Sequence, residues 1–593
     1  MNWYLEAMEQ LLCEEDKANL RAVYAPRVVA VQPTESYNHS CIMPDGEIRL
    51  YGHTIGRGKG IANGGSGYLY SRDCGLSWHP AYADSRAMGP CVYHPQSDTW
   101  LHLGTPDRRL DASYCCISKI GPDDPSPRVI HWTGEHFGCP KIPFLLHDKP
   151  GRWVSTCHRD ITLPDGSDNF SPVFIYSDDD GEHWTAVDLP VQDNSEWFYP
   201  DKGARWKNQG SEPTVTELTD GSLLLLTRTS DCYPRVYRSF DHGESWSGGD
   251  LFDLHASQTT SVLHRLSDGR TLLLWNNTLC MPEHNHYYDF PMTHHGHVNG
   301  SFEDAFTNRD VCHAAISTDG VHWVGQRELL LGAVRDHADY RRVGGRHNIG
   351  DQSLQQFEIW ELPYGKILAL CGQNISTRRV VLFDPKWLEE TAREEDFQNG
   401  LQNVTSFQYT KSLCGSWFGH CAWNRTTGAA MMPDPEQGLR DVAQLCRYHD
   451  SRLYNEKQGL VWNFPAAKQG EITIQLRIDG AGLGVSLSDC WMNPSDPTVC
   501  ERAPFYFTLE QSDIGTGWQT VIFRFDTTGE VSISLQQPEG ERLLFYAASR
   551  RVIAQGLSYL HLQSLAEKED FRGSYIRLLR EEAIAHTERK DVE

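Results

Sequence analysis

One short pattern returns four times. Residues 71–78 read SRDCGLSW, 177–184 SDDDGEHW, 239–246 SFDHGESW, and 317–323 STDGVHW, the last one residue shorter. The shared form is Ser-x-Asp-x-Gly-x-x-Trp. The Ser and Asp side chains can satisfy turn backbone groups. Gly supplies a positive φ, and Trp can lock the turn onto a neighbouring sheet. Each copy follows a short β-like run: GYLY, PVFIY, RVYR and CHAAI. The pattern is scaffold rather than catalytic chemistry.

A second element recurs beside it. The segments 37–51, 211–228, 258–275 and 355–371 each read strand, turn, apolar strand, as in SEPTVTELTDGSLLLLTR, a hairpin signature. Hairpin plus Ser-Asp-Gly-Trp turn makes a unit of about four strands. Less regular units fit at 88–120 and 138–184. Six units lie between residue 27 and about 385, and APRVVAV near residue 30 can supply the outer strand that closes a ring. Four-stranded units repeated radially make a β-propeller. The fold class expected is all-β, a six-bladed propeller followed by a jelly-roll-like β-sandwich. ITIQLRI, GVSLS, FYFTLE, TVIFRFD and VSISLQ alternate without the Trp turn. The expected divisions are an N-terminal helix at 1–26, the propeller at 27–385, a partly helical connector at 386–455 (PKWLEETAREEDF) and the sandwich at 456–593. The sandwich is expected to brace the propeller.

Composition narrows the partners. Asp and Glu number 79 against 54 Lys and Arg, so the net charge is −25. That disfavours a nucleic-acid binder and docking on anionic membranes, but not a small anion held by a few local arginines. Trp3, Leu5, Met8, Leu11 and Leu12 fit a short amphipathic helix, and the N-terminus has no secretory pattern. A cytoplasmic location is expected, with most of the 17 cysteines reduced. No cofactor and no metal are expected.

The Ser-x-Asp-x-Gly-x-x-Trp turns resemble the Asp-boxes (BNR repeats) of the sialidase, or neuraminidase, superfamily, whose members are six-bladed propeller glycosidases. The resemblance covers roughly residues 27–385. It is closest in unit four, which looks like the sialidase blade carrying a Glu and an Arg. The resemblance implies that Glu212 polarises a nucleophile and that Arg228 grips a substrate carboxylate. Arg309, eight residues before the box Ser317, falls on another carboxylate-gripping position. Two arginines on one carboxylate suit its planar fork of donors.

The chain departs from the family at three positions. The first unit has no Arg-Ile-Pro; Tyr37, Asn38 and His39 stand there. Gly65 and Ser66 occupy the place of the acid/base Asp, and Gln356 that of the nucleophilic Tyr. Replacement candidates are Tyr37, His39 and Glu358, which sits two residues past Gln356 and can share its face. Arg57 lies in a Gly-rich loop and Arg346 in DYRRVGGRHNIGD. A long insertion in unit five holds His286 and Tyr287, residues suited to covering a sugar. The function expected is an exo-acting glycoside hydrolase that releases a terminal acidic sugar. Glu212 serves it as a base or nucleophile-activating group, acting on Tyr37 or on water. The alternatives are a polysaccharide lyase or neutral-sugar hydrolase using His and Tyr, and a non-catalytic carbohydrate-binding propeller.

Overall fold

The computed structural model describes residues 3–584 except 32–37, 53–65, 84–90, 96–97, 105–115, 120–127, 132–136, 139, 163–165, 167, 191–207, 209, 230, 258, 280, 283–304, 307–308, 310, 332–353, 373–377, 411–423, 448–457, 495–497 and 527. Tyr37, Arg57, Gly65, His286, Tyr287 and Arg346 lie outside the described residues. Backbone alone is described at His39 and Ser66.

The recurring turn forms as its chemistry dictates. In the first copy Ser71 Oγ accepts from the Gly75 N–H at 2.8 Å, and Asp73 Oδ1 accepts from the Ser77 N–H at 2.9 Å. Trp78 Nε1 donates to the Gly75 carbonyl at 3.1 Å. The set repeats at Ser177, Asp179 and Trp184 and at Ser239, Asp241 and Trp246. In these three copies the residue before the Gly is also left-handed: Cys74, Asp180 and His242. The fourth copy deletes that residue. It keeps the Ser317 and Asp319 bonds, but Trp323 Nε1 finds no partner among the described residues.

Six antiparallel sheets follow one another along the chain. Blade 1 spans Asn38–Ile42 to His79–Ala83, blade 2 Cys91–His94 to Arg128–His131, and blade 3 Phe137–Gly138 to Thr185–Asp188. Blade 4 is Ser211–Glu217, Leu223–Arg228, Arg235–Ser239 and Ser247–Leu251. Blade 5 is Val262–Arg265, Thr271–Trp275, Val311–Ser317 and Val324–Leu331. Blade 6 is Glu358–Leu362, Lys366–Cys371 and Arg379–Phe383, completed by the N-terminal strand Arg27–Val31. Apolar side chains fill the seam between each blade and the next. Leu101 with Trp153 and Val173 fills one, Phe174 with Leu225 another, and Leu226 with Leu273 a third. Leu50 with Leu368 and Val380 closes the sixth seam, back to blade 1. Outward burial of such faces against neighbours closes a six-bladed propeller.

The single helix expected at the N-terminus is two, Tyr4–Leu11 and Glu14–Arg21. They are split where Cys13 caps the second helix with Asp16. Tyr4 and Met8 pack into the seam of blades 6 and 1. The helix expected from PKWLEETAREEDF is one 3-10 turn, Pro385–Glu389, followed by a strand, Ala392–Glu395. Pairing of that strand with Asp570–Ala583 outweighs its helix formers.

Most of the remaining strands make a sandwich. Its larger sheet runs Ala430–Pro433, Asp441–Arg447, Asp570–Ala583, Gly470–Ile478, Gln519–Phe525, Glu530–Gln537 and Gly540–Ala548. The smaller runs Gly459–Ala467, Leu557–Ser564, Leu483–Ser488 and Phe505–Leu509. Alternate residues of Gly470–Ile478 are buried, as in a strand with one face on a core. The core between the sheets holds Trp462, Phe464, Ile474, Val485, Phe523 and Leu560. The described cysteines are free thiols, mostly buried. No helix among the described residues is long and apolar enough to cross a membrane.

Candidate functional site

Blade 4 carries the pair that the sequence spacing singles out. Ser211 faces Arg228 across the sheet, and the register shifts between Ser211 and Thr214. Glu212 sits in that bulge with φ of +48°, a left-handed conformation costly for a residue with a Cβ. The approach is shaped upstream: Asn208 Oδ1 accepts from the N–H groups of Gly210 and Ser211. The result aims Glu212 at Arg228, whose Nη1 lies 3.2 Å from Glu212 Oε2. Both side chains are largely buried.

Burial alone would raise the carboxyl pKa of Glu212. The charges of Arg228, Lys141 and Arg309 outweigh it and hold the group down at about 2. Glu212 is therefore an anion at any ordinary pH. Three fixed cations act on this one carboxylate, which leaves the site with a local positive excess inside an acidic protein.

Arg309 is fully buried, just ahead of Val311–Ser317. Its carbonyl accepts from the Leu354 N–H at 2.8 Å, so blades 5 and 6 meet here. The same join leads to Gln356, which also has a left-handed φ, +63°. Its carbonyl accepts from Arg378 Nη1 at 2.8 Å.

The expectation that Gln356 and Glu358 share a face does not hold. Gln356 lies ahead of the strand, and its positive φ breaks the alternation. Glu358 turns instead to blade 1. It accepts from the Ser40 N–H at 2.9 Å and from Ser40 Oγ, and it lies 3.5 Å from Arg378 Nη2. Glu358 is a carboxylate that ties blade 6 to blade 1.

Two groups near Glu212 come from blade 3. His158 is buried on Trp153–Thr162, with Phe170 edge-on at 4.8 Å. Its Nδ1 accepts from the Glu212 N–H at 3.2 Å. Burial pushes its pKa down to about 4, so the ring is neutral and its proton sits on Nε2. A Cβ on Gly138, the residue paired with His158, would lie 2.6 Å from that Nε2. Lys141 acts on both His158 and Glu212 through its charge. Neither residue has a spacing that ties it to an Asp-box, so no sequence signal marks it.

A second polar cluster lies nearby, where the sandwich meets blades 4 and 5. His255, Asp489 and Cys490 bring three ligand-type atoms within 4.8 Å of one another, the one such trio among the described residues. Arg551 already covers both Asp489 oxygens. Burial pushes the Cys490 thiol up to about 12. A protonated thiol and an arginine-paired carboxylate are poor metal ligands, so the trio is a charge-paired contact.

Comparison with known proteins agrees with this architecture. Residues 126–341 match the family model of the BNR repeat-like domain. No curated protein matches the sequence. Among solved structures, the sialidase of Trypanosoma rangeli in complex with the inhibitor DANA is 11% identical, with 93% of this chain and 92% of that chain covered and a TM-score of 0.35. The Hadza microbial sialidase Hz136 is 13% identical over 60% of this chain and 68% of that chain, TM-score 0.38. A protein of unknown function from Dyadobacter fermentans is 14% identical over 61% and 97%, TM-score 0.34. With TM-scores this low, the fold assignment stands on the six sheets and the seams between them.

Proposed function

We propose that this BNR-repeat propeller is an exo-acting glycoside hydrolase that releases a terminal acidic sugar. The observation that carries the reading is the Glu212–Arg228 pair, 3.2 Å apart and largely buried, with Arg309 acting on the same carboxylate. Arg228 and Arg309 take the sugar carboxylate, for which a planar fork of donors is suited. Glu212 stays ionised. It stabilises the positive charge that develops on the sugar ring, or it takes the proton of an attacking hydroxyl or water. Gln356 stands where the family's nucleophilic Tyr is expected, so the attacking group is water or a hydroxyl from another position; Tyr37 is the candidate.

The deciding assay uses aryl sialosides and aryl uronides. Turnover on one of them, lost in Glu212→Gln, is the expected result. No turnover on either, in wild type and variant alike, sinks the reading.

A further inference from the structure

The sandwich does more than pack against the propeller's side. The segment Asp489–Trp491, which follows the strand Leu483–Ser488, reaches the end of blades 4 and 5 that carries Arg228 and Arg309. Strand direction fixes which end this is. Arg228 closes the second strand of blade 4, and the equivalent position in blade 5 is Trp275, followed by Asn276 and Asn277. Arg309 precedes the third strand of blade 5, at the same end.

Two lines of contact leave Asp489–Trp491. One runs to blade 5. Trp491 N–H donates to the Asn277 carbonyl, and Leu279 N–H donates to the Trp491 carbonyl, each at 2.9 Å. Asn277 Nδ2 donates to the Asp489 carbonyl at 2.9 Å. The Asn277 N–H donates to His313 Nδ1 at 3.0 Å, and the fully buried Trp491 packs on Val311, two residues past Arg309.

A hydrogen-bond relay reinforces this line. Because His313 Nδ1 accepts, its Nε2 carries the proton and donates to Tyr559 Oη at 2.5 Å. Tyr559 Oη in turn donates to Glu328 Oε1 at 2.9 Å. Tyr559 belongs to the sandwich, so both domains hold the Arg309 strand.

The other line runs to blade 4. The Asp489 carboxylate lies 3.8 Å from His255 Nε2, which shares a hydrogen bond of 2.9 Å with Tyr233 Oη. The Tyr233 carbonyl accepts from Thr229 Oγ1 at 2.6 Å, and Thr229 follows Arg228 in the chain.

We infer that Asp489–Trp491 is a positioning element of the candidate site: the sandwich sets the spacing of the backbone segments that carry Arg228 and Arg309. The inference rests on the acidic-sugar reading for its kinetic consequence. The physical reason is that two guanidinium groups grip one carboxylate only within a narrow geometry, and a 1 Å error at such a site costs up to about 100-fold.

The test uses the full chain with Asp489→Asn and Tyr559→Phe, the second removing one hydroxyl only. The control is Gln555→Ala, at the Asp-box end of the same seam. Gln555 binds the Val321 carbonyl, the Trp323 N–H and Gln326 there. On the better acidic aryl glycoside, Asp489→Asn is expected to lower kcat/KM about 10–100-fold, mostly by raising KM. Tyr559→Phe gives about 3–10-fold, and Gln555→Ala stays within about twofold while losing thermal stability comparably. Equal kinetic effects in all three variants, or none in Asp489→Asn and Tyr559→Phe, overturn the inference.

Hydrogen exchange gives a readout that needs no substrate. Peptides spanning 229–236 and 311–317 should exchange about tenfold faster in Asp489→Asn or Tyr559→Phe than in Gln555→Ala. Equal exchange overturns the positioning role. If the wild type turns over neither substrate, the acidic-sugar reading falls, and exchange alone decides the positioning role.

Discussion

The backbone N–H of Glu212 donates to Nδ1 of His158 across 3.2 Å, tying blade 4 to blade 3 at the centre of the candidate site. This bond supports the left-handed backbone of Glu212 and fixes the tautomer of His158. A ring that must stay neutral loses the bond when protonated, because Nδ1 then carries a proton of its own. Activity should therefore fall as pH drops through about 4, the value to which burial lowers His158. Glu212, held at about 2, contributes nothing to that limb. In His158→Phe the limb should vanish and kcat should drop by up to about 100-fold, the cost of misplacing a catalytic group. A pH–rate profile with an unmoved limb in the variant contradicts the assignment.

Arg228 and Arg309 should differ in what their loss does to the fold. Arg228→Met removes the direct partner of a buried carboxylate and leaves Glu212 with less compensation. The expected cost is about 3–5 kcal/mol of stability in addition to lost binding. Glu212→Gln/Arg228→Met should recover part of that stability but no activity. Thermal unfolding of the single and double variants, set beside their turnover, checks the coupling.

Stability should peak between acid and alkaline losses. His158, His255 and His313 are buried, and burial lowers their pKa values to about 4, 3 and 3. The unfolded chain binds their protons below about pH 6.5, so stability falls as pH drops from 6.5 towards 4. Glu581 acts on the other side. It is fully buried, and neither of its oxygens finds a hydrogen-bond partner among the described residues. Burial pushes its pKa up to about 8, so the folded state holds a proton that the unfolded state releases. Stability then falls as pH rises from the ordinary carboxyl range through 8. Glu581→Gln should flatten the decline above pH 6.5 in a series of melting curves from pH 5 to 9 and steepen the rise below it, where this carboxyl opposes the histidines.

The recurring turns should tolerate a Cβ very unequally. At Gly243, with φ of +93°, a Cβ would sit 2.1 Å from Cε1 of Phe174 in the neighbouring blade. Gly243→Ala should cost about 2–4 kcal/mol, the sum of backbone strain and overpacking. At Gly365, φ of +66°, nothing lies within 4 Å of the added atom, and Gly365→Ala should cost about 1–2 kcal/mol. Denaturant midpoints of the two variants provide the comparison.

The propeller is legible because its signal is local. Ser, Asp, Gly and Trp within eight residues satisfy one another, so four of the six blades announce their own turn. The Glu212–Arg228 pair is legible for the same reason, since one hairpin carries both. His158 and Lys141 are not, because they reach Glu212 from another blade through contacts that no fixed spacing encodes. The strand Ala392–Glu395 hides in a run of helix formers, since its partner lies almost two hundred residues further on. Glu358 misleads for the opposite reason: a carboxylate at the expected strand is spent on the Ser40 backbone of the first blade.

The strand Arg27–Val31 completes blade 6 by pairing with Arg379–Phe383. The first strand made is thus the last to find its place. At about 5–20 residues per second, a ribosome needs roughly 20–70 s to deliver the partner some 350 residues later. Through that interval Val28 and Val31 belong to an unpaired strand on an open ring, and blades 1 to 5 stand ready before the ring can lock. Synthesis itself therefore schedules the closure, and an N-terminal truncation past Val31 leaves the circle without its clasp however well the other blades have folded.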